Sequence, residues 1–455
     1  MIEKSLSVTA GITIYASTGM NGFNQPDRMS NVHFYFAAKG SCLHLVDKNY
    51  YYNVATYTLD FDPKYMHTYD YAPDQIWGTY AKDLSCDTYR QADYVFQDKR
   101  YFRICLKRVD GADFTIAEEK RIDEILKFYQ ENETKQLEEK TFFKKEIAQT
   151  IKRIQEKRND DILAFAVLTD THYTVNGTWI DTVKNIYGVN EKISFDSIIH
   201  LGDLTDGIVP ALLTKDYVRQ MLDDLQKTKV PFHIVLGNHD ANYFAGNPDI
   251  MTMEEQIQVY QTCSESYKSD PALPYYYTDY AKHSLRCIFL SAYKNDETLR
   301  YGFDEKQVQW VKNILQTTAK TYKVLVFSHD APLARLDYWA AEIRNGEALM
   351  EIMEEHQKKF HNILAYIHGH THADYIYMER CFPIVSIGCA KCEDMQEKKP
   401  EGSVTATRQL RTVTQDLWDT ILVNTKTSTM DFIRFGAGLD RHIDCKFLQG
   451  GGTAI

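Results

Sequence analysis

Two hydrophobic periods divide the chain. Near the start, Val8, Ala10, Ile12, Ile14 and Ala16 fall on alternate positions, the period of a half-buried strand. Short aromatic and β-branched runs continue in this style to about residue 115, broken by turn text such as Gly19-Met-Asn-Gly22, Asn24-Gln-Pro-Asp27 and Asp62-Pro-Lys64. In 101–106, Phe102, Ile104 and Leu106 share one face, with Arg103 and Cys105 on the other. No long helical period interrupts this region, so residues 1–115 are expected to form an all-β sandwich or jelly-roll module.

From residue 117 to about 157 the text turns to Glu, Lys, Gln and Ile, without proline or glycine. Ile122, Ile125, Leu126 and Tyr129 share a helical face, as do Ile147, Ile151 and Ile154. The spacing predicts one long helix or two over 116–159, with a break at 132–134. Its apolar seam is irregular, which favours a brace packed on the next domain over a coiled-coil stalk.

Buried-strand text then alternates with helical text. Strands are expected at 162–168, 194–201, 232–236, 286–291, 324–327 and 363–368. Helices are expected at 179–186, 212–227, 253–267, 305–315 and 348–359, and closing strands at 418–424 and 429–434. Near-continuous apolar strands alternating with helices imply an α/β domain over 160–441, with central β-sheets flanked by helices. A largely buried sheet with helices on both faces is the simplest form. Residues 442–455 read as a C-terminal tail, mobile from 450 on.

Composition narrows the partners. A net charge of −11 argues against general nucleic-acid binding, which would want a basic face. No run is long and apolar enough for membrane insertion, and the alternating N-terminus does not read as a Sec signal. The expected location is cytoplasmic, or within a virion or phage tail. The nine cysteines are scattered and do not look like a disulfide framework. Cys389-Ala-Lys-Cys392 has the C-x-x-C spacing, but a structural zinc site would need a second such pair.

The chemistry sits at the ends of the predicted strands. Asp170-Thr-His172 follows the first. The same design recurs at Gly202-Asp203, Gly237-Asn-His-Asp240, Ser328-His329 and His368-Gly-His-Thr-His372. Asp, His and Asn without cysteine suit one or two hard or borderline divalent metals. Open α/β sheets collect ligands at strand carboxyl ends.

The ordered set D-x-H, G-D, G-N-H-D, H, G-H-x-H resembles the calcineurin-like metallophosphoesterase family over about 162–388, half of the chain. The resemblance implies two divalent metal ions, the ligand set being compatible with Mn, Fe, Zn or Ni. One ion would take Asp170, His172, Asp203 and His372. The other would take Asp203, Asn238, His329 and His370. It implies hydrolysis of a phosphate ester by a hydroxide held between the metals, with His239 as general acid for the leaving group. Asp206 and Asp240 are expected to orient ligands or His239. Tyr173, Asn176 and Tyr243 lie near the motif blocks and are expected to line the substrate pocket.

Family Ser/Thr phosphatases carry an arginine soon after the bridging aspartate and a glutamate after the Asn-His pair. Here the text is Asp203-Leu-Thr-Asp206-Gly207 and Asn238-His-Asp240, which is more similar to the phosphodiesterase-type branches.

The N-terminal module resembles β-sandwich modules of bacterial surface and phage tail proteins. Its tyrosines (Tyr50-Tyr-Tyr52, Tyr57, Tyr65, Tyr69 and Tyr71, with Trp77 and Tyr80) would serve as glycan platforms or as core and cross-strand pairs. Core packing is the preferred reading. With a glycan-binding module in front, a cell-surface phosphodiester polymer such as teichoic acid is one expected substrate. The alternatives are a cytoplasmic nucleotide or phospholipid-headgroup phosphodiesterase, and a structural or receptor-binding component, oligomeric in that case, with the enzyme fold ancillary.

Overall fold

The computed structural model describes residues 1–15, 21–31, 35–57, 89–131, 141–173, 178–207, 211–243, 247, 249–261, 272–294, 299–393, 402–410 and 412–446. The chain divides into two compact units, 1–138 and 139–455.

The first unit holds β1 (Ile2–Lys4), β2 (Thr9–Ile14), β3 (Asn21–Ser30), β4 (Tyr35–Ala37), β5 (Cys42–Leu45), β6 (Tyr50–Tyr57), β7 (Tyr94–Val95), β8 (Arg100–Arg108), the short helices α1 (Ile116–Glu119) and α2 (Ile122–Ile125), and β9 (Leu126–Gln130). All its pairings are antiparallel. One sheet runs β1-β9-β5-β7; the other runs β2-β3-β8-β4, with β6 also on β8. Leu43, Leu45 and Phe128 from the first sheet share a core with Val54, Phe102, Ile104 and Leu106 from the second. Tyr50 and Tyr52 are buried in that core, so these two tyrosines pack rather than present a platform. Tyr65, Tyr69, Tyr71, Trp77 and Tyr80 lie outside the described residues.

The helical expectation for 117–130 is corrected. After two single turns the chain enters β9, which pairs with both β1 and β5. Ile122, Ile125 and Leu126 fit a helical stripe, but Leu126 and Phe128 also alternate into the core. The strand prevails because it bridges two neighbours whose backbone groups would otherwise lack partners. The expected break at 132–134 lies outside the described residues.

The second unit begins with α3 (Thr141–Gln155), which lies against α4 and β20, named below, as a brace would. There follow β10 (Ile162–Leu168), α4 (Trp179–Ile193), β11 (Ser197–His200), α5 (Ala211–Lys227), β12 (Phe232–Ile234), α6 (Met253–Gln256), β13 (Tyr276–Tyr280), β14 (Leu285–Phe289), α7 (Glu305–Thr317), β15 (Lys323–Phe327), α8 (Gly346–Phe360), β16 (Ile363–His368), β17 (Tyr375–Tyr377), β18 (Ile384–Ser386), β19 (Leu417–Asn424), β20 (Thr429–Gly436) and β21 (Arg441–Asp444). The helix expected at 253–267 is a single α turn that passes into a π turn, Ile257–Gln261. Strand β21 reaches past the expected boundary at 441, and Cys445 after it is buried. The residues from 447 on lie outside the description.

Two mixed six-stranded sheets form this unit, β12-β11-β10-β19-β20-β21 and β13-β14-β15-β16-β18-β17. They share one core: Leu163, Phe165 and Val167 of β10 meet Phe289, Leu325, Phe327 and Ile367 of the second sheet. On β15 the alternate residues, Val324 and Val326, turn outward to Val311, Leu349 and Met353 of α7 and α8. This corrects the single sheet with helices on both faces. An apolar run shows that both faces of a strand are covered, but not whether the cover is a helix or another sheet.

Behind the metal loops lies a buried ion-pair network. Arg434 of β20, 2% exposed, donates to both carboxylate oxygens of Asp419 at 2.9 and 3.1 Å and of Asp374 at 2.8 and 3.0 Å. Arg441 bonds the same two carboxylates. Asp374 stands two residues after His372, so the network ties that loop to β19 and β20. Arg434→Met is expected to lower unfolding stability by about 3–5 kcal/mol, the usual cost of stranding a buried charge. The check is the urea midpoint at unchanged slope. A loss under about 1 kcal/mol would mean that Arg441 alone satisfies both carboxylates.

Candidate metal centre

Five strands deliver the motif side chains. In the first sheet β10, β11 and β12 run parallel, with Leu168, His200 and Ile234 level in register. Their carboxyl ends open into the loops of Asp170-His172, Asp203 and Asn238-Asp240. In the second sheet β15 and β16 run parallel, Phe327 opposite Ile367, and lead to His329 and His370-His372.

The loops turn back sharply. Asp170, His172, Asp203, His370 and His372 all have positive φ, between 41° and 64°. Non-glycine residues adopt this region at a cost, and here tertiary bonds hold it. Asp170 N donates to Gly202 O at 3.0 Å, His172 N to Asp203 O at 3.0 Å, and His370 N to Asp170 Oδ2 at 3.0 Å. Two motif glycines exist for close approach. A Cβ on Gly237 would lie 2.2 Å from Asp203 Oδ1, and one on Gly369 would lie 2.0 Å from Thr169 Oγ1.

The side chains converge in two sets. Asp170 Oδ1 is 3.2 Å from His372 Nε2 and 3.8 Å from His172 Nε2, and those two nitrogens are 3.2 Å apart. In the second set, His329 Nε2 is 3.3 Å from Asn238 Oδ1 and 3.2 Å from His370 Nδ1. Asp203 Oδ2 joins them, 3.8 Å from His172 Nε2 and 3.3 Å from His329 Nε2. Its other oxygen accepts from His239 N at 2.8 Å. All seven residues are buried or nearly so, and Asp170 Oδ1 accepts no conventional hydrogen bond. Lone pairs of nitrogen and oxygen facing one another away from water are the arrangement a cation resolves, so this donor set fits two divalent ions.

Electrostatics agree. Burial pushes Asp203 upward, but the charges of His329, His239 and His172 outweigh it and hold its carboxyl well below the usual range. Burial lowers His329, yet Asp203 and Asp170 carry it up to about 10. His372 is likewise raised, against burial, by Cys389, Asp170 and Glu393. Protons on these imidazoles thus stand where cations would, and metal uptake would release them.

Behind the ligands is a supporting layer. His172 Nδ1 lies 3.1 Å from Asp206 Oδ1. His329 Nδ1 donates to Leu201 O at 2.7 Å. His370 Nε2 lies 3.5 Å from Asp330 and 3.7 Å from Asp337. His372 Nδ1 lies 3.2 Å from Glu393 Oε2. Asp240 accepts from the amides of Asp203, Leu204 and Gly237 at 2.8–2.9 Å, stapling two motif loops together. His239 Nδ1 donates to Asp206 O at 2.6 Å and its Nε2 stands 3.8 Å from Asp203 Oδ2, at the edge of the ligand cluster. His368 is a packing residue: its Nδ1 donates to Gly369 O, and its Nε2 meets the Tyr375 hydroxyl at 2.6 Å.

Of the expected pocket residues, Tyr243 is exposed beneath the guanidinium of Arg300, which also donates to Asn238 O at 3.1 Å. Tyr173 is buried and packs edge-on against Tyr217 of α5. Its backbone forms a parallel bridge with Thr205. Asn176 lies outside the described residues. Trp339, 41% exposed, was not singled out from sequence; its indole donates to His370 O at 3.1 Å. Asp330, Asp337, Lys391 and Glu393 also escaped sequence reading, because no spacing pattern marks them. Cys389 and Cys392 are free thiols, and Cys389 clusters with His372 and Glu393.

Residues 163–374 match the family model described as calcineurin-like phosphoesterase. No curated protein matches the chain. Among solved structures, a dimetal phosphatase from Danio rerio is similar at 17% identity and a TM-score of 0.46, over 62% of this chain and 98% of that one. The GAP50 anchor of the Plasmodium inner membrane complex is similar at 14% identity and a TM-score of 0.37, over 62% and 90%.

Proposed function

We propose that residues 163–374, a calcineurin-like phosphoesterase domain, make this chain a dinuclear metal-dependent phosphoester hydrolase acting on diesters. The observation that carries the reading is Asp203 Oδ2, one carboxylate oxygen shared by two sets of lone pairs. Asp170, His172, His372 and Asp203 would hold one ion; Asn238, His329, His370 and Asp203 would hold the other. When bound, the ions supply the positive charge that a phosphate and an attacking water both need.

The chain's own groups do the rest. Asn238 contributes a neutral oxygen, limiting negative charge where an anion must enter. Arg300, anchored on the Asn238 carbonyl, adds positive charge beside the second set. His239 Nε2 is placed to hand a proton to the leaving oxygen. Preference for diesters is supported by Asp203-Leu-Thr-Asp206-Gly207 and Asn238-His-Asp240, which lack the arginine and the glutamate of the Ser/Thr protein phosphatases that the chain otherwise resembles. A teichoic-acid-type polymer, a nucleotide diester and a phospholipid-headgroup diester are the substrate classes to compare.

The test uses full-length protein stripped by chelator and restored with Mn²⁺. It should hydrolyse bis(p-nitrophenyl) phosphate faster than p-nitrophenyl phosphate, and lose both activities on chelation. Inactivity with Mn²⁺, Ni²⁺, Zn²⁺ and Fe²⁺ alike would overturn the enzyme reading; faster monoester turnover would overturn only the diester preference.

A further inference from the structure

We propose that Lys391 is a positioning residue for the first ion's histidines, clamping the two carboxylates that stand behind them. The inference rests on the metal-centre reading above. Asp206 Oδ1 lies 3.1 Å from His172 Nδ1, and Glu393 Oε2 lies 3.2 Å from His372 Nδ1. The ammonium of Lys391 is 3.6 Å from that same Asp206 oxygen and 3.8 Å from that same Glu393 oxygen. One cation therefore touches both carboxylates that face the outer nitrogens of the imidazole pair.

Lys391 is 4% exposed. A buried ammonium is costly unless paired, and here two carboxylates pair it. Its backbone is placed with equal care. Lys391 N donates to Asp170 O at 3.1 Å, and Ala390 N to Thr169 O at 2.8 Å. Arg408 holds the same segment through Cys389 O at 2.8 Å and Ala390 O at 3.1 Å. The clamp is thus fastened to the loop that carries Asp170. Lys391 and Glu393 lie beyond the stretch 163–374 that matches the family model.

The charge pattern explains the need. Asp170, Asp203, Asp206 and Glu393 gather around one pair of imidazoles. Without an intervening cation, Asp206 and Glu393 repel each other and are free to turn away from His172 and His372. Each ring then loses the carboxylate that faces its outer nitrogen, and loss of such outer partners typically weakens metal binding by about 10–100-fold. Among the described residues the second set shows no such link: His329 Nδ1 donates to Leu201 O, and His370 Nε2 faces Asp330 and Asp337. The effect should fall on one ion only.

The experiment titrates chelator-stripped full-length protein with Mn²⁺, read by the loss of the free-ion electron paramagnetic signal. Wild type should take up two ions. Lys391→Met should weaken one of them by about 10–100-fold and leave the other within about twofold. Glu393→Gln, which keeps the side chain's shape, should weaken the same ion and serves if Lys391→Met does not fold. Lys391→Arg, which restores a cation, should recover part of the loss. Both ions unchanged in both variants, or both weakened together with a lowered melting temperature, would overturn the clamp. Wild type that binds no ion would instead overturn the metal centre, and the clamp with it.

Discussion

Asp203→Ala should cost at least about 10²–10³-fold in phosphoester hydrolysis, the loss expected when a charge-stabilising group is removed from a preorganised site. The reason is geometric. Asp203 Oδ2 reaches both sets, 3.8 Å from His172 and 3.3 Å from His329, and is nearer to His329 than Asp170 Oδ1, which stands 3.7 Å from it. Its second oxygen holds the amide of His239 at 2.8 Å, so alanine also releases the segment that bears Asn238 and His239. Asp203→Asn separates the two roles. It keeps an acceptor for that amide but removes the charge that two cations would share. Both variants should bind both Mn²⁺ ions more weakly, because each set loses the same shared ligand. Full activity in Asp203→Asn would sink the shared-ligand role.

His239→Asn is the second large effect, and it should depend on the leaving group. With alkoxide-type leaving groups, hydrolysis should fall by about 10²–10⁴-fold. With p-nitrophenolate, which departs without a proton, the loss should be small. Mn²⁺ uptake should be unchanged, because His239 stands beside the ligand set rather than in it.

The pH dependence carries a sign. Burial pushes His239 down to about 4, and the nearby Asp203 only partly opposes this. Bound cations would push the same way, so in the free site the ring is neutral at pH 7. A proton donor must therefore regain its proton when an anionic phosphate arrives, since negative charge beside it favours imidazolium. With the cations bound, the acid requirement on kcat/KM for an alkyl diester should thus be lost as pH rises through a value no higher than about 4. The corresponding limb of kcat should lie higher, because the substrate's charge is then in place. His239→Asn should erase this limb from both profiles. A limb that persists in the variant would assign the proton to another group.

The cluster of Asp, His and Asn side chains was legible in the sequence for a chemical reason. Metal binding demands particular side chains, and sharp strand-end turns demand glycine where Gly237 and Gly369 brush Asp203 and Thr169. Those demands leave residue types in fixed order. Asp206 and Asp240 could be singled out beside the motif residues because they sit within the same blocks. The setting of Tyr173, buried against Tyr217, was not legible, because nearness in sequence to a motif residue says nothing of which way a side chain turns.

Strand and helix types in the second unit also follow from the chain text, since apolar runs and amphipathic stripes report burial directly. Which surfaces meet does not. The run on β15 is equally apolar whether Leu325 and Phe327 face a helix or, as here, a second sheet. Leu126 to Gln130 satisfies two periods, and the open partners β1 and β5 made it a strand.

The identities of Asp170, His172, Asp203, Asn238, His329, His370 and His372 were set by local order along the chain. Their backing by Glu393, Lys391, Asp330 and Asp337 came only with folding. Ligation constrains residue type at short spacing, whereas a supporting charge needs only to arrive within a few ångströms, from any segment the fold brings near.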